Sequence, residues 1–400
     1  MQRVPARVSA SWRRLHPAVR VITVVYLVSR AVTVAAAWAV TVVQRADPDP
    51  SRAIPAPHKV WQVLATWDGN WYVRVALHGY PRFAPAGDFY AGTGTHVQNG
   101  LGFFPLYPLT IKVANWVSPF SAKVTAVILA MVFGYVATLL VWKLATDVFD
   151  ADVGRRSALL FCCFPGAFVL SWAYSEALLI VLAAACLWWL HKERWLLAGV
   201  AASLGGATRS TGVLLVLCCA WAAVAAIWRR RDWKALIAPA LSPIGVLLFF
   251  AYLQVHTHSW RTWFDVERRG WGHRTDWGRR NLSTVGKFFT QPGANALIVT
   301  ISLATLAAAA LLALVIFRRR SRLPAPMLIF AAGTIALSFT SPEVQLNPRF
   351  VFTAFPLLIG FGAWVRESWM QALLLVGLGL MAVLTIIYGI RLFHPIVLFP

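Results

Sequence analysis

Apolar runs long enough to cross a hydrocarbon layer recur along the chain, separated by short stretches rich in arginine. A spanning helix needs about 20 mostly apolar residues. That pattern predicts eleven helices, near 18–43, 121–145, 155–171, 174–190, 195–209, 211–228, 235–257, 294–317, 325–341, 350–365 and 370–390. The run 195–209 is short and glycine-rich, and 155–171 contains Pro165. Such breaks are tolerated in membrane helices where neighbours satisfy the backbone. Two longer segments, 44–120 and 258–293, interrupt the runs, and neither reads as a soluble domain. The expectation is one all-α integral membrane domain over 1–400, with no internal repeat of the kind that marks many transporters.

Charge fixes an orientation. With the N-terminus in the cytoplasm, the cytoplasmic connections hold Arg155-Arg156, Lys192 to Arg194, Arg229-Arg230-Arg231 with Lys234, Arg318-Arg319-Arg320 with Arg322, and Arg366. The short outer connections hold only Arg209 and Arg349. This is a positive-inside pattern, and it predicts an N-in, C-out protein of the plasma membrane. Long loops escape the charge rule, so 44–120 and 258–293 are compatible with the outer face. Their tryptophans (Trp61, Trp67, Trp71, Trp116; Trp260, Trp263, Trp271, Trp277) suit the bilayer interface.

Composition agrees. The chain is 59% hydrophobic and 13% charged, about half the charge a soluble domain of this size carries. The net charge of +22 could suggest nucleic acid as a partner. The basic residues instead sit at the ends of apolar runs, where anionic headgroups favour them, and no nucleic-acid motif accompanies them. The N-terminal arginines precede a run too long for a signal peptide, so it reads as a retained first span. Cys162, Cys163, Cys186, Cys218 and Cys219 all lie in apolar runs and read as small packing residues.

Against this background the ionisable residues near the outer boundary stand out. Trp67-Asp68-Gly69-Asn70-Trp71-Tyr72 leads to His78-Gly79-Tyr80. A short helix can start at Asp68 as its N-cap and stop at Gly79. Burial against aromatics would also raise the proton affinity of Asp68 towards that of a useful base. Phe103-Phe104-Pro105-Leu106-Tyr107-Pro108 reads as a surface anchor that could line a route for a lipid tail. Tyr174-Ser175-Glu176 opens a span on the same side; a glutamate there is dipole-favoured, and an ionisable group at that depth is also a functional candidate. Arg209 and Arg349 break the positive-inside trend, and guanidinium matches phosphate bidentately. Snorkelling to headgroups is the plainer role for each. Arg30 lies mid-span and needs a carboxylate or backbone carbonyls. No glycine-rich phosphate loop, metalloprotease motif, nucleophile elbow or Cys-x-x-Cys is present. A transferase without a nucleotide-binding domain needs an activated donor borne by the membrane.

Taken in order, Trp67-Asp68 with Trp71-Tyr72 and Gly79-Tyr80, Phe104-Pro105-Leu106-Tyr107-Pro108, Tyr174-Ser175-Glu176, Arg209-Ser210-Thr211-Gly212 and Arg349 with Phe355-Pro356-Leu357 resemble the PIG-V-type mannosyltransferases of the GT-C class, in their bacterial, actinobacterial-like branch. The resemblance runs from about residue 20 to 365. It implies a GT-C helix bundle with interfacial helices in the first outer loop, an essential aspartate at the position of Asp68, and a polyprenyl-phosphate-linked sugar, usually mannose, as donor. Asp68 would be the general base. Arg209 and Arg349 would hold the donor phosphate. Trp67, Trp71, Tyr72, His78, Tyr80, Tyr174 and Glu176 would position substrate. The acceptor would be a lipid or a glycan. No cofactor is expected, because a lipid phosphate leaves without one; a divalent metal stays open. A flippase for a lipid-linked intermediate would share the topology, but should carry paired polar residues near mid-membrane.

Overall fold

The computed structural model describes residues 16–46, 57–82, 98–291 and 293–391, and these are mostly helical with no strand among them. The longer helices are α1 (Pro17–Ala46), α2 (Asp68–His78), α3 (Leu106–Val117), α4 (Ala122–Val148), α5 (Ala151–Cys163), α6 (Glu176–His191), α7 (Trp195–Thr208), α8 (Leu214–Arg230), α9 (Ile244–Thr257), α10 (Arg279–Thr290), α11 (Ala296–Phe317), α12 (Ala325–Phe339), α13 (Pro348–Thr353), α14 (Pro356–Trp364) and α15 (Glu367–Arg391).

Among the described residues six helical stretches are long and apolar enough to cross a membrane: Pro17–Arg45, Ala122–Val148, Ser210–Arg230, Trp233–Thr257, Ala296–Phe317 and Glu367–Ile390. A seventh exists if α5 and the turn Pro165–Ser171, which meet at 74°, form one span. The other predicted runs are helical but shorter. Proline explains two of these interruptions. Pro165 has no N–H with which to continue α5, and Pro356 starts α14 after a break that ends α13.

Packing follows composition. One large core joins α1, α4, α5, α6, α7 and α8, with all five cysteines buried and unpaired by disulfides. The outward surfaces stay apolar, as on α8, where Leu217, Trp221, Val224 and Trp228 form an exposed stripe at helical spacing. An apolar surface that continuous belongs in lipid.

The bend at Pro165 matters most for the site. It turns the chain so that Trp172, Ala173 and Tyr174 lie buried beneath the first loop, where the Ala173 amide donates to the Leu64 carbonyl at 2.8 Å. Arg30 holds the bend. Its guanidinium donates to the carbonyls of Ala167 (2.7 Å) and Cys162 (3.4 Å) and to Ser171 Oγ (3.0 Å). Its cation also stands 5.1 Å from the Tyr26 ring centre. Of the two kinds of partner a mid-span arginine can take, this one has carbonyls. Gly166 lets the turn meet α13, since a Cβ there would fall 2.0 Å from the Pro348 carbonyl oxygen.

Candidate active site

Four ionisable side chains from four separate segments meet at one end of the bundle. Asp68 opens α2, Glu176 opens α6, Arg209 follows the C-terminus of α7, and Arg349 is the second residue of α13. Arg349 bridges the two acids: its Nε donates to Glu176 Oε1 and its Nη2 to Asp68 Oδ2. Arg209 Nη1 lies 3.0 Å from Glu176 Oε1 and 4.0 Å from Asp68 Oδ2. Two carboxylates and two guanidiniums therefore balance.

Local sequence places each member. Asn347 caps α13, its Oδ1 accepting the Arg349 amide at 3.0 Å, and Pro348 supplies the favoured first helical residue. Arg349 then lies 4.3 Å from the Tyr174 ring centre, a cation–π contact inside the fold. Arg209 sits in extended backbone before the turn Ser210–Val213, its amide donating to the Gly205 carbonyl and its own carbonyl accepting from Gly212. Asp68 differs from expectation. The residue capping α2 is Trp67, and Asp68 is the first helical residue, making no cap. Its carboxylate is drawn instead to Arg349, because a buried cation binds it more strongly than a neutral amide does. Trp67 adopts φ 55°, a left-handed conformation that costs a bulky residue about 1–3 kcal/mol. Backbone strain of this kind concentrates at functional sites.

The electrostatics correct a second expectation. Burial pushes the Asp68 carboxyl up, but Arg349 and Arg209, the Arg349 hydrogen bond and the more distant His273 outweigh it. The group stays below its ordinary range and ionised, rather than raised as a buried carboxylate among aromatics would be.

Exposure divides the four. Glu176 is 0% exposed and Arg349 3%, whereas Asp68 is 24% and Arg209 18% exposed. Glu176 and Arg349 form the floor; Asp68 and Arg209 face outward. Glu176 Oε2 is buried and has no partner among the described residues.

The other predicted residues fall into two groups. Tyr72 shares a 2.6 Å hydrogen bond with Ser175 Oγ beneath Asp68, and Arg209 reaches the same hydroxyl at 3.4 Å. Tyr174 lies under Arg349. Trp67 packs against the main core, and Trp71 meets Phe103 and Trp271 at 6.2 and 5.7 Å between ring centres. His78 and Tyr80 are elsewhere. His78 ends α2, about 15 Å along the helix from Asp68. Tyr80 donates to the Phe103 carbonyl at 2.7 Å and packs on Phe249 and Tyr252. These two are not brought to the carboxylates.

Sequence reasoning missed the contribution of the second long loop. Glu267 pairs with His273, whose amide also donates to the Glu267 carbonyl at 2.8 Å. Trp271 closes on Phe103, and Trp263 Nε1 donates to the Gly102 carbonyl at 3.1 Å. Gly102 is the contact point: a Cβ there would lie 2.8 Å from Glu267 Oε1 and 3.0 Å from Trp271 Nε1. The chemical signal was present, since His273 and Glu267 are six residues apart, but nine other charged residues in 258–293 hide it. Among the described residues no group of three or more His, Cys, Asp and Glu side chains converges as metal ligands do.

The sequence of residues 104–342 matches the model of glycosyltransferase family 87. The chain belongs to that family. Glu176 and Arg209 lie inside the matched region; Asp68 and Arg349 flank it. The fold is similar to ArnT from Cupriavidus metallidurans, crystallised with undecaprenyl phosphate, at TM-score 0.50 and 12% identity over 88% of this chain and 63% of that one. It also matches the oligosaccharyltransferase of Archaeoglobus fulgidus in its apo form, at TM-score 0.45 and 15% identity over 92% of this chain and 56% of that one. The chain thus spans less than two thirds of either protein's length. No curated protein sequence matches it. The likeness to ArnT supports a GT-C-like helical fold.

Proposed function

We propose that this member of family 87 is an inverting membrane glycosyltransferase that moves a sugar from a polyprenyl-phosphate donor to a hydroxyl of a lipid or glycan acceptor. The observation that carries the reading is the convergence of Asp68, Glu176, Arg209 and Arg349, with Asp68 and Arg209 open to a substrate. Asp68 accepts the proton of the acceptor hydroxyl as its oxygen bonds to the anomeric carbon. The bond from that carbon to the phosphate oxygen breaks with inversion, and its electrons leave on the lipid phosphate. Arg209, the more exposed guanidinium, meets that phosphate where negative charge grows. Arg349 serves differently from the expectation that it too holds phosphate: it fixes the rotamers of Asp68 and Glu176. Trp71 lines the sugar side, and the buried Glu176 and Tyr72 support it from beneath.

Mannose is the sugar in this reading, on the resemblance of the Trp67-Asp68 block and its companions to PIG-V-type enzymes. The site faces the extracytoplasmic side of the plasma membrane in an N-in, C-out protein of eleven helical passes, on the charge bias of its loops. A flippase is less well supported, because Arg30, the mid-span charge, is occupied by carbonyls at the Pro165 bend.

The test is Asp68→Asn in purified protein given labelled polyprenyl-phosphate-mannose and native lipid extract as acceptor. Transfer should fall by about 100- to 10,000-fold, the usual contribution of a general base. Turnover near wild type would remove Asp68 from that role.

A further inference from the structure

Beside the site lies a cavity that the transfer reaction does not use. It has a volume of about 270 Å³ and sits between α10 and α11, lined by Arg280, Ser283, Thr284 and Lys287 on one side and by Leu297, Ile298, Ile301 and Gln345 on the other. Two cations and two hydroxyls face three aliphatic side chains, which is the polarity of a lipid headgroup meeting its chains. Neither Arg280 nor Lys287 forms a side-chain ion pair with a carboxylate among the described residues, in contrast to Arg155, Arg209, Arg230 and Arg349.

Three further observations bear on the occupant. First, α10 is amphipathic: Leu282 and Phe289, one heptad apart, are 61% and 69% exposed, while Arg280 and Lys287, also one heptad apart, line the cavity. The aliphatic wall, Leu297, Ile298 and Ile301, occupies the first two turns of the membrane-spanning α11, which puts the cavity at the headgroup end of that span. Second, the cavity wall is stitched to the site. Gln345 Nε2 donates to Thr284 Oγ1 at 3.0 Å, and Asn281 Oδ1 accepts the Leu346 amide at 3.0 Å, three residues before Arg349. Third, Gln345 is held at φ 50°, a left-handed conformation that a residue with a side chain adopts only when its surroundings impose it.

We propose that this cavity binds the phosphate of an anionic phospholipid. Arg280 and Lys287 neutralise the phosphate, Ser283 donates to one of its oxygens, and the acyl chains run along Leu297, Ile298 and Ile301. The bound lipid fixes α10 on the bilayer and steadies the strand of chain that carries Arg349. A lipid-borne phosphate could also come from the spent polyprenyl carrier. A bulk phospholipid is favoured because the cavity lining contains none of Asp68, Glu176, Arg209 and Arg349, while its aliphatic wall belongs to the membrane-spanning α11.

The experiment measures lipid retention on the intact purified protein by native mass spectrometry, with phosphatidylglycerol, phosphatidylcholine, polyprenyl phosphate and inorganic phosphate as separate probes. The comparison is wild type against Arg280→Gln/Lys287→Gln. Both positions are exposed and unpaired, so folding should survive, which a thermal unfolding trace checks. Phosphatidylglycerol should bind wild type about 30-fold more tightly than the double variant, from two basic contacts of about 1 kcal/mol each. Phosphatidylcholine should not discriminate, and excess inorganic phosphate should not displace the lipid. Equal phosphatidylglycerol binding by both proteins overturns the proposal. So does discrimination seen with polyprenyl phosphate alone, which would make this a carrier site. Because binding is the readout, Asp68→Asn protein should retain the lipid as wild type does, and the outcome is independent of the proposed transfer reaction.

Discussion

Replacing Arg349 with methionine removes the side chain that hydrogen-bonds both acids. Glu176 is fully buried, one of its oxygens has no partner among the described residues, and the other is shared between Arg349 and Arg209. Breaking a buried pair by removing one partner costs about 3–5 kcal/mol, because the remaining charge stays desolvated. Arg209 still lies 3.0 Å from Glu176, so the lower end, about 3 kcal/mol, is expected. Asp68 adds little, since its carboxylate is partly exposed and can recruit water. Glu176→Gln in the same protein should then recover stability to within about 1 kcal/mol of wild type, because Asp68 and Arg209 remain as a balanced pair. Unfolding of purified protein in mixed micelles measures each step, and labelled-sugar transfer measures function. The single and the double variant should both be inactive, since neither holds Asp68 in place. A single variant as stable as wild type, or a double variant no more stable than the single, would refute the charge-balance reasoning. An active double variant would remove Arg349 as a positioning residue.

Two further substitutions probe how the site is assembled. Arg30→Met leaves the Ala167 and Cys162 carbonyls without their donor at the Pro165 bend, which should cost about 1–3 kcal/mol for each orphaned carbonyl in unfolding assays; Arg30→Lys, which reaches fewer of them, should recover only part of that loss. Gly102→Val drives a side chain into Glu267 and Trp271 and should push the second loop off Phe103, raising KM for the acceptor more than it lowers kcat; an unchanged KM would show that this loop does not shape the acceptor site.

The four site residues were legible because ionisable groups at the outer ends of apolar runs are few, and each stands where the hydrophobic pattern stops. Their pairing was not legible. Nothing in the chain before Asp68 says that a tryptophan will cap α2, and nothing in Pro348-Arg349-Phe350 says that the guanidinium reaches across 281 residues to Asp68. Long-range pairing of charges is set by where the Pro165 bend and α13 deliver Glu176 and Arg349, and a bend angle is a property of packing. Helix lengths were overestimated for a related reason: hydropathy counts the apolar residues after Pro165 and around Pro356 as one run, while the backbone breaks there. His78 and Tyr80 show the converse limit. They follow Asp68 closely in sequence, yet eleven residues of helix carry them out of reach.

The sharing of Arg209 gives the proposed mechanism a pH signature. In the structure, Asp68 is held below its ordinary proton affinity by Arg349 and Arg209 against the opposing effect of burial. A carboxyl depressed on folding contributes stability that is present above its unfolded pKa, about 3.9, and is lost as pH falls through the lower folded value. In the free protein Asp68 is therefore ionised throughout the neutral range, and the acid limb of kcat/KM assigned to it should lie below about pH 4. A donor phosphate that draws Arg209 takes away one of the cations that depress Asp68 and places a negative charge nearby. Both changes raise the proton affinity of Asp68, so a carboxylate too weak as a base in the free protein becomes a stronger one when the donor is in place. The acid limb of kcat, which reports the complex, should then stand at higher pH than that of kcat/KM, which reports the free protein. Arg209→Gln should raise the kcat/KM limb and narrow the gap, because the cation is already gone. Coincident limbs in the wild type, or a gap unchanged by Arg209→Gln, would mean that the donor phosphate is held by some other group and that Asp68 keeps its weak basicity through the reaction.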